Sequence, residues 1–510
     1  MGVAHSLKRE IHYGREVLVY PGRPTRLEQI FDDTASRFSD KEALVELGGP
    51  RLTYAETLEL SKSMASWLHQ RGVRPGDRIA LALGNTIWFP LWALAGLRVG
   101  AVILPLNLRL AQDEIAFILQ DSTPKLVVVA EEASHLLPVL GSYPKVDATE
   151  VPKVSKGKFR SWGTFSEDEA AFLIYTSGTT GRPKGVILTH FNIIHSLLHY
   201  REVFGTRSEE KTLIAVPLFH VTGLIGQLWH MFLLGGTSVL LSRYQTDIFL
   251  EAMEREEISF TFAVPTIYAF LLTKGLANRS LSSWRLAAYG GAPMPLAILR
   301  ELQETFPKLD LRNAYGATET ASPATLMPVS FTGRKPLSVG RPVPAGEIRI
   351  ADPGPDGVGE ILIKGPMVTP GYYQRLEENR RSFTEEGYWR SGDLGYLDPE
   401  GFLFVVDRLK EMINRAGEKI YSQEVENVLY QHPGVLEVAV VGIPDQVYGE
   451  RIKAVVVPRP GYVLTPDELL RFAAERLASF KVPEVVEFRE ALPRNAGGKV
   501  LKSLLRVEAK

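Results

Sequence analysis

Apolar positions along the chain follow two spacings in turn. Helical spacing marks Leu27 to Phe38, Thr57 to Arg71 and Ile87 to Arg98, while short unbroken apolar runs mark Arg78 to Leu83, Val102 to Leu104 and Leu126 to Val129. Alternation at this interval predicts a mostly parallel sheet with helices on both faces. A stretch of low hydrophobicity, Tyr143 to Thr164, leads into a second alternating run with strands expected at Leu213 to Val216, Ser238 to Leu241, Phe260 to Ala263 and Leu286 to Tyr289. After Pro328 the texture changes to short strands punctuated by Gly and Pro: Glu347 to Ile350, Gly359 to Lys364, Trp389 to Tyr396 and Phe402 to Val406. That density of turns predicts a small β-barrel or twisted sheet. From Met412 onward helices and strands alternate again (Ser422 to Gln431, Val435 to Gly442, Arg451 to Pro458, Thr465 to Leu477), enough chain for a small separate domain. The most membrane-like run, Trp88 to Leu108, is broken by Pro90, Arg98 and Pro105 and changes character at Gly100, which predicts a buried helix followed by a buried strand.

Composition narrows the picture. At 510 residues the chain exceeds what one core supports, so at least two domains are expected. A net charge of -1 leaves no basic field for nucleic acid or anionic membrane, and neither is expected as a partner. With no cysteine there is no disulfide, thiolate metal site or cysteine nucleophile, so no thioester to the enzyme can form. The first residues carry no apolar signal core and only a weak myristoylation match, which makes the cytoplasm the expected location.

Candidate chemistry begins at Tyr175 to Gly185, YTSGTTGRPKG, directly after the apolar run Ala171 to Ile174. A buried strand opening into hydroxyl- and glycine-rich backbone with one lysine presents N–H groups, hydroxyls and a cation to phosphates. It is not a Walker A loop, because Pro183 stands where the second glycine is needed and Gly185 where the hydroxyl is needed. A second stretch, Asn313 to Glu319, joins an aromatic ring for a purine, a glycine for close approach, a hydroxyl and a carboxylate. Asp393 and Arg408 add groups able to meet ribose hydroxyls and phosphate oxygens, and Lys499 sits in a Gly-rich tail. Taken singly, each has an ordinary reading as a turn, a surface ion pair or a solvated lysine.

Together these motifs resemble the adenylate-forming superfamily over nearly the whole chain, Leu27 to Leu505. The resemblance implies an α/β fold with a large N-terminal AMP-binding domain, residues 1–406, of two mostly parallel helix-covered sheets plus a small β-barrel-like subdomain. A hinge at 407–411, centred on Lys410, would lead to a mobile α+β lid at 412–510. It implies phosphate contacts from Thr176, Ser177, Gly178, Thr179, Thr180, Gly181 and Lys184, and a nucleotide wall of Gly290, Gly291, Ala292, Asn313, Ala314 and Gly316. Tyr315 would stack on adenine, Thr318 would touch the α-phosphate, Glu319 would hold the metal, Asp393 would bind ribose, and Arg408 would reach ribose and phosphate. Lys499 would act catalytically in adenylation, where a positioned ammonium meets developing negative charge.

The branch implied is the acyl-CoA synthetases. His220 stands where those enzymes often carry a gate residue. The segment around it lacks the aspartate of amino-acid-adenylating relatives, Asn414 replaces a second luciferase lysine, and Gly417 matches the glycine that lets pantetheine pass. The expected activity is an acid–CoA ligase using ATP, Mg²⁺ and coenzyme A on a carboxylic acid. The apolar residues Leu224, Ile225, Leu228, Trp229 and Phe232, with Ala292, suggest an apolar acyl or aryl chain. A fatty acid is the first expectation. A benzoate- or cinnamate-type acid, a carrier-protein thiol in place of CoA, and a non-catalytic ATP/AMP sensor are the alternatives. A homodimer is among the assemblies this reading allows.

Overall fold

The computed structural model describes residues 7–141, 143–150, 165–176, 182–276, 279–416, 418–494 and 500–506. Among the described residues the first alternating run builds a six-stranded sheet in the order Lys184–Thr189, Ala170–Thr176, Val102–Pro105, Arg78–Ala82, Leu126–Val129, Lys145–Asp147. Its pairings are parallel except the first, where Lys184–Thr189 folds back antiparallel on Ala170–Thr176.

A nine-stranded sheet follows, among the described residues. Its parallel centre runs Asp310–Tyr315, Leu286–Gly290, Phe260–Ala263, Lys211–Ile214, Thr237–Leu240, Glu42–Glu46, with antiparallel strands at both edges. The two sheets share one core: Trp92, Leu197 and Leu228, on helical segments, pack in the same cluster as Leu81 and Ile103 of one sheet and Ile214 and Leu240 of the other.

Local chemistry explains the element ends. The helix expected from Thr57 starts earlier, as Tyr54–Gln70, because Thr53 and Glu56 form a capping box: the Glu56 amide donates to Thr53 Oγ1 at 3.2 Å and the Thr53 amide to Glu56 Oε2 at 2.8 Å. Such a cap contributes about 1 kcal/mol. The membrane-like run is a buried helix, Trp88–Arg98, and a buried strand, Val102–Pro105, with Gly100 turning between them at φ 74°. Arg98 is buried there because Asp32 holds it with two bonds of 2.6 and 3.1 Å. No described helix is long and apolar enough to cross a membrane.

The turn-rich region forms a four-stranded antiparallel sheet, Glu347–Ala351, Gly359–Lys364, Trp389–Leu397, Leu403–Arg408. Beyond it the hairpin Ile413–Arg415/Glu418–Ile420, helices Ser422–Leu429 and Pro466–Ala474, and the strands Val435–Asp445, Gly449–Pro458 and Val485–Phe488 enclose their own core around Val425, Val440 and Val456. Among the elements without a counterpart in the sequence expectations is an N-terminal hairpin, Lys8–His12/Arg15–Val19. It is tied down by Arg23, which donates to Glu10 at 2.7 Å and Glu167 at 2.6 Å, and by His12 stacked 3.8 Å from Phe191.

Candidate active site

Strands Leu286–Gly290 and Asp310–Tyr315 run side by side, with Gly290 opposite Ala314 at their carboxyl ends. Ligands of open α/β sheets settle beyond such ends. A side chain at Gly290 would collide with the Ala314 carbonyl, and one at Gly316 with the Ser322 carbonyl, so both glycines are demanded by close backbone approach.

A cavity of about 550 Å³ opens here. The large domain lines it with Gly290, Gly291, Ala292, Asn313, Ala314, Tyr315, Gly316 and Asp393, Arg408 at the end of the strand Leu403–Arg408 joins them, and the small domain contributes Glu424, Glu426, Arg494, Val500 and Lys502. The nucleotide-wall residues expected from sequence therefore converge on one space. Tyr315 donates its hydroxyl to Asp393 Oδ2 at 2.7 Å, and Arg408 Nε lies 3.2 Å from Asp393 Oδ1, across the strand pair that sets Asp393 opposite Arg408. Burial, reinforced by the Asp393 charge, drives the Tyr315 hydroxyl well above its ordinary pKa, so it remains a donor.

Next to this wall, Thr318–Thr320 forms a single 3₁₀ turn, half-buried at Thr318 and Glu319. Glu319 Oε1 accepts a hydrogen bond from the Tyr372 hydroxyl at 2.9 Å, while its backbone carbonyl accepts from the Thr369 amide at 2.8 Å. Desolvation raises the Glu319 carboxyl pKa, against the pull of that hydrogen bond and of the Arg408 and Lys184 charges. A half-buried carboxylate is the kind of oxygen donor a hard divalent cation takes. Glu319 fits Mg²⁺ on those grounds.

The phosphate-loop candidates divide. Thr176 pairs directly with Lys184 across the antiparallel turn, and Ser177, Gly178, Thr179, Thr180 and Gly181 lie outside the described residues. Lys184 is buried, its ammonium ion-paired with Glu378 and 5.6 Å from the Tyr372 ring centroid. His220 is half-buried beside Phe219; its Nε2 has no hydrogen-bond partner, and burial lowers its pKa to about 4, which keeps the ring neutral.

The apolar residues that follow His220 settle deep in the fold. Leu224, Ile225, Leu228, Trp229 and Phe232 are at most 1 % exposed and belong to the central core rather than to the cavity wall. Leu224, Ile225, Leu228 and Trp229 lie on a π-helix, Thr222–Trp229, and a wider helical turn fits here because Gly226 lies directly against Phe262 and Gly223 against the Val216 carbonyl. Of the apolar set only Ala292 lines the cavity.

Lys410 is exposed, and its carbonyl accepts from Arg506 Nη2 at 3.0 Å. Gly417 and Lys499 lie outside the described residues. The ends of the tail loop are fixed, however: Arg494 and Val500 form a β-bridge, the Leu501 amide donates to the Pro493 carbonyl at 2.8 Å, and both bridge residues stand on the cavity wall.

Sequence reasoning missed a buried junction beside the hinge. Asp407 Oδ2 accepts the Ser422 amide at 2.6 Å, and Lys502 Nζ donates to Ser422 Oγ at 2.7 Å and lies 2.7 Å from Glu426 Oε1. The only sequence signal for it was Asp407 standing beside the noted Arg408. It also missed Tyr372 and Glu378, whose partners are far away along the chain.

An α/β chain with a large N-terminal and a small C-terminal domain, and one cavity lined by residues of both, is the architecture of an adenylate-forming ligase. Residues 31–373 match the AMP-binding enzyme family, and residues 424–499 match the AMP-binding enzyme C-terminal domain. Curated relatives include a feruloyl-CoA synthase from Amycolatopsis, 36% identical over 92% of this chain and 96% of its own length. Another is a long-chain-fatty-acid–CoA ligase of Mycobacterium tuberculosis, 32% identical over 89% and 93%. Among solved structures, the o-succinylbenzoate CoA synthetase of Bacillus subtilis in complex with its acyl-adenylate intermediate superposes with a TM-score of 0.84 at 34% identity, covering 94% of this chain and 98% of that one. The chain belongs to the AMP-binding enzyme family. It is an ATP-dependent acid–CoA ligase that works through an acyl-adenylate.

Proposed function

We propose that one cleft runs two half-reactions on a compact, apolar, aryl-type carboxylic acid. In the first, the acid's carboxylate attacks the α-phosphorus of ATP, pyrophosphate leaves, and acyl-AMP forms. Tyr315 stacks on adenine, Asp393 and Arg408 hold the ribose, Thr318 meets the α-phosphate, Lys499 stabilises charge developing there, and residues 176–184 carry the leaving phosphates. Glu319 would hold Mg²⁺, which would supply positive charge to the phosphates. In the second, the lid turns about Lys410, Lys499 departs, and the Gly417 loop admits pantetheine. The CoA thiol then attacks the acyl carbon and AMP leaves. His220, neutral and with a free ring nitrogen, acts as the gate between acid and thiol.

What carries the reading is the single cavity bounded by Tyr315, Asp393 and Arg408 on one side and by both ends of the Lys499 loop, Arg494 and Val500, on the other. The preference for a compact acid rests on the π-helix: Leu224, Ile225, Leu228 and Trp229 are buried in the core and Gly226 lies against the Phe262 ring, which supports a short acyl pocket there. A feruloyl-CoA synthase and an o-succinylbenzoate CoA synthetase among the relatives support an aryl acid, while the long-chain-fatty-acid–CoA ligase supports the fatty-acid alternative.

The test is acyl-CoA formation with a panel from short to long fatty acids plus benzoates and cinnamates, ranked by kcat/KM. An aryl acid is expected to lead; leadership by a long-chain acid would overturn the substrate assignment. Pyrophosphate release with no acyl-CoA product, and transfer instead to a carrier pantetheine, would overturn the choice of thiol.

A further inference from the structure

Tyr372 lies outside the motifs that identify the site, yet its backbone is pinned from several directions. Its amide donates to Asn379 Oδ1 at 2.7 Å and its carbonyl accepts from Asn379 Nδ2 at 3.0 Å. It bridges to Val186, two residues beyond Lys184, while the flanking Tyr373 amide donates to the Gly185 carbonyl at 2.7 Å. Gly371 before it takes φ 153°, where a side chain would strike Asn379. A backbone held this way sends the side chain in one direction. The hydroxyl reaches the Glu319 carboxylate at 2.9 Å, and the ring lies 5.6 Å from the Lys184 ammonium. With 7% exposure, it has little freedom to do otherwise.

We propose that Tyr372 is a positioning residue for MgATP: its hydroxyl fixes the carboxylate that takes the metal, and its ring fixes the lysine that takes phosphate. This rests on the roles of Glu319 and Lys184 proposed above. One side chain thereby sets the distance between a negative and a positive group that must meet the same triphosphate. A hydrogen bond to a charged group is worth enough to hold one carboxylate rotamer against the alternatives.

The experiment is calorimetric binding of α,β-methylene-ATP, which cannot be adenylated, to the full-length enzyme with and without Mg²⁺. Wild type should bind more tightly with the metal. Tyr372→Phe keeps the ring over Lys184 and removes only the hydroxyl. It should lose about tenfold of that metal-dependent gain, with metal-free affinity and melting temperature unchanged. In a Glu319→Ala background the same substitution should change nothing further. An intact metal-dependent gain in Tyr372→Phe would overturn the inference while leaving Glu319 as metal ligand. Equal losses with and without metal, alongside a lower melting temperature, would make Tyr372 merely structural. No metal-dependent gain in wild type would remove the role of Glu319 itself, and this inference with it.

Discussion

Lys184 and Glu378, 194 residues apart in sequence, form an ion pair at the start of the strand Lys184–Thr189. The lysine side chain is 11% exposed and the glutamate 31% exposed, on the helix Leu376–Ser382, which buries none of its residues. With the phosphate role proposed for Lys184, an arriving triphosphate would compete with this carboxylate.

Glu378→Gln should therefore tighten ATP binding by about threefold, the scale of a partly exposed pair. Titration of a non-reactive ATP analogue against both proteins measures it. Weaker binding in the variant would mean that Glu378 holds Lys184 in its working position instead of competing for it.

Removing the tail ammonium separates the two half-reactions. Lys499→Ala should lower adenylation by about 10²-fold or more, while thioester formation from supplied acyl-AMP survives. Single-turnover assays of each step decide the matter, and equal loss in both would make Lys499 structural.

Restricting the hinge should trap one lid position. Proline fixes φ and removes an N–H, so Lys410→Pro should leave acyl-AMP formation near normal in single turnover and cut acyl-CoA release by orders of magnitude. A variant with both steps intact would locate the swivel elsewhere.

Bulk at the proposed pantetheine passage is a separate test. Gly417→Leu should block thioester formation and spare adenylation, read as acyl-AMP that accumulates with CoA present. Unchanged CoA turnover would put the passage on another path.

Acid should weaken the fold through its buried histidines. His199 has neither ring nitrogen partnered, and burial lowers its pKa from 6.5 to about 3; His230 falls to about 3 for the same reason. Between pH 6.5 and 3 the unfolded chain binds these protons and the folded chain does not, so stability drops as pH falls, by about 1.4 kcal/mol per pH unit for each such group. His199→Leu should lessen the fall in Tm between pH 7.5 and pH 5. An identical fall in the variant would show that His199 does not titrate on unfolding.

Much of this was legible from the sequence because it is local. The run Ala171 to Ile174 became the strand Ala170–Thr176, and the Tyr289 and Tyr315 motifs fell at adjacent strand ends because both sit where an apolar strand gives way to glycine. The early start of the helix at Tyr54 was also written, as Thr53 and Glu56, and was passed over. What stayed hidden depends on partners distant in sequence. The N-terminal hairpin has no strong apolar face of its own and is held by Arg23 ion pairs. The Leu224 to Phe232 segment is apolar in a way that fits a pocket wall and a core equally, and only its neighbours distinguish them. Tyr372 meets Glu319 across 53 residues with nothing in the intervening letters to announce it.

The tail after Val500 does not hang free. Lys502 is fastened to Ser422 and Glu426 at the start of the lid's first helix, and Arg506 to the carbonyl of Lys410. The chain downstream of Lys499 is thus tied both to the helix Ser422–Leu429 and to the segment proposed as the hinge. If the lid turns, the lysine is carried out on the same stroke that swings the Gly417 loop, so the cycle runs on one mechanical coordinate. With the roles proposed for Lys499 and Gly417, an enzyme geared in that way would never present its acid-activating cation and its thiol entrance at once.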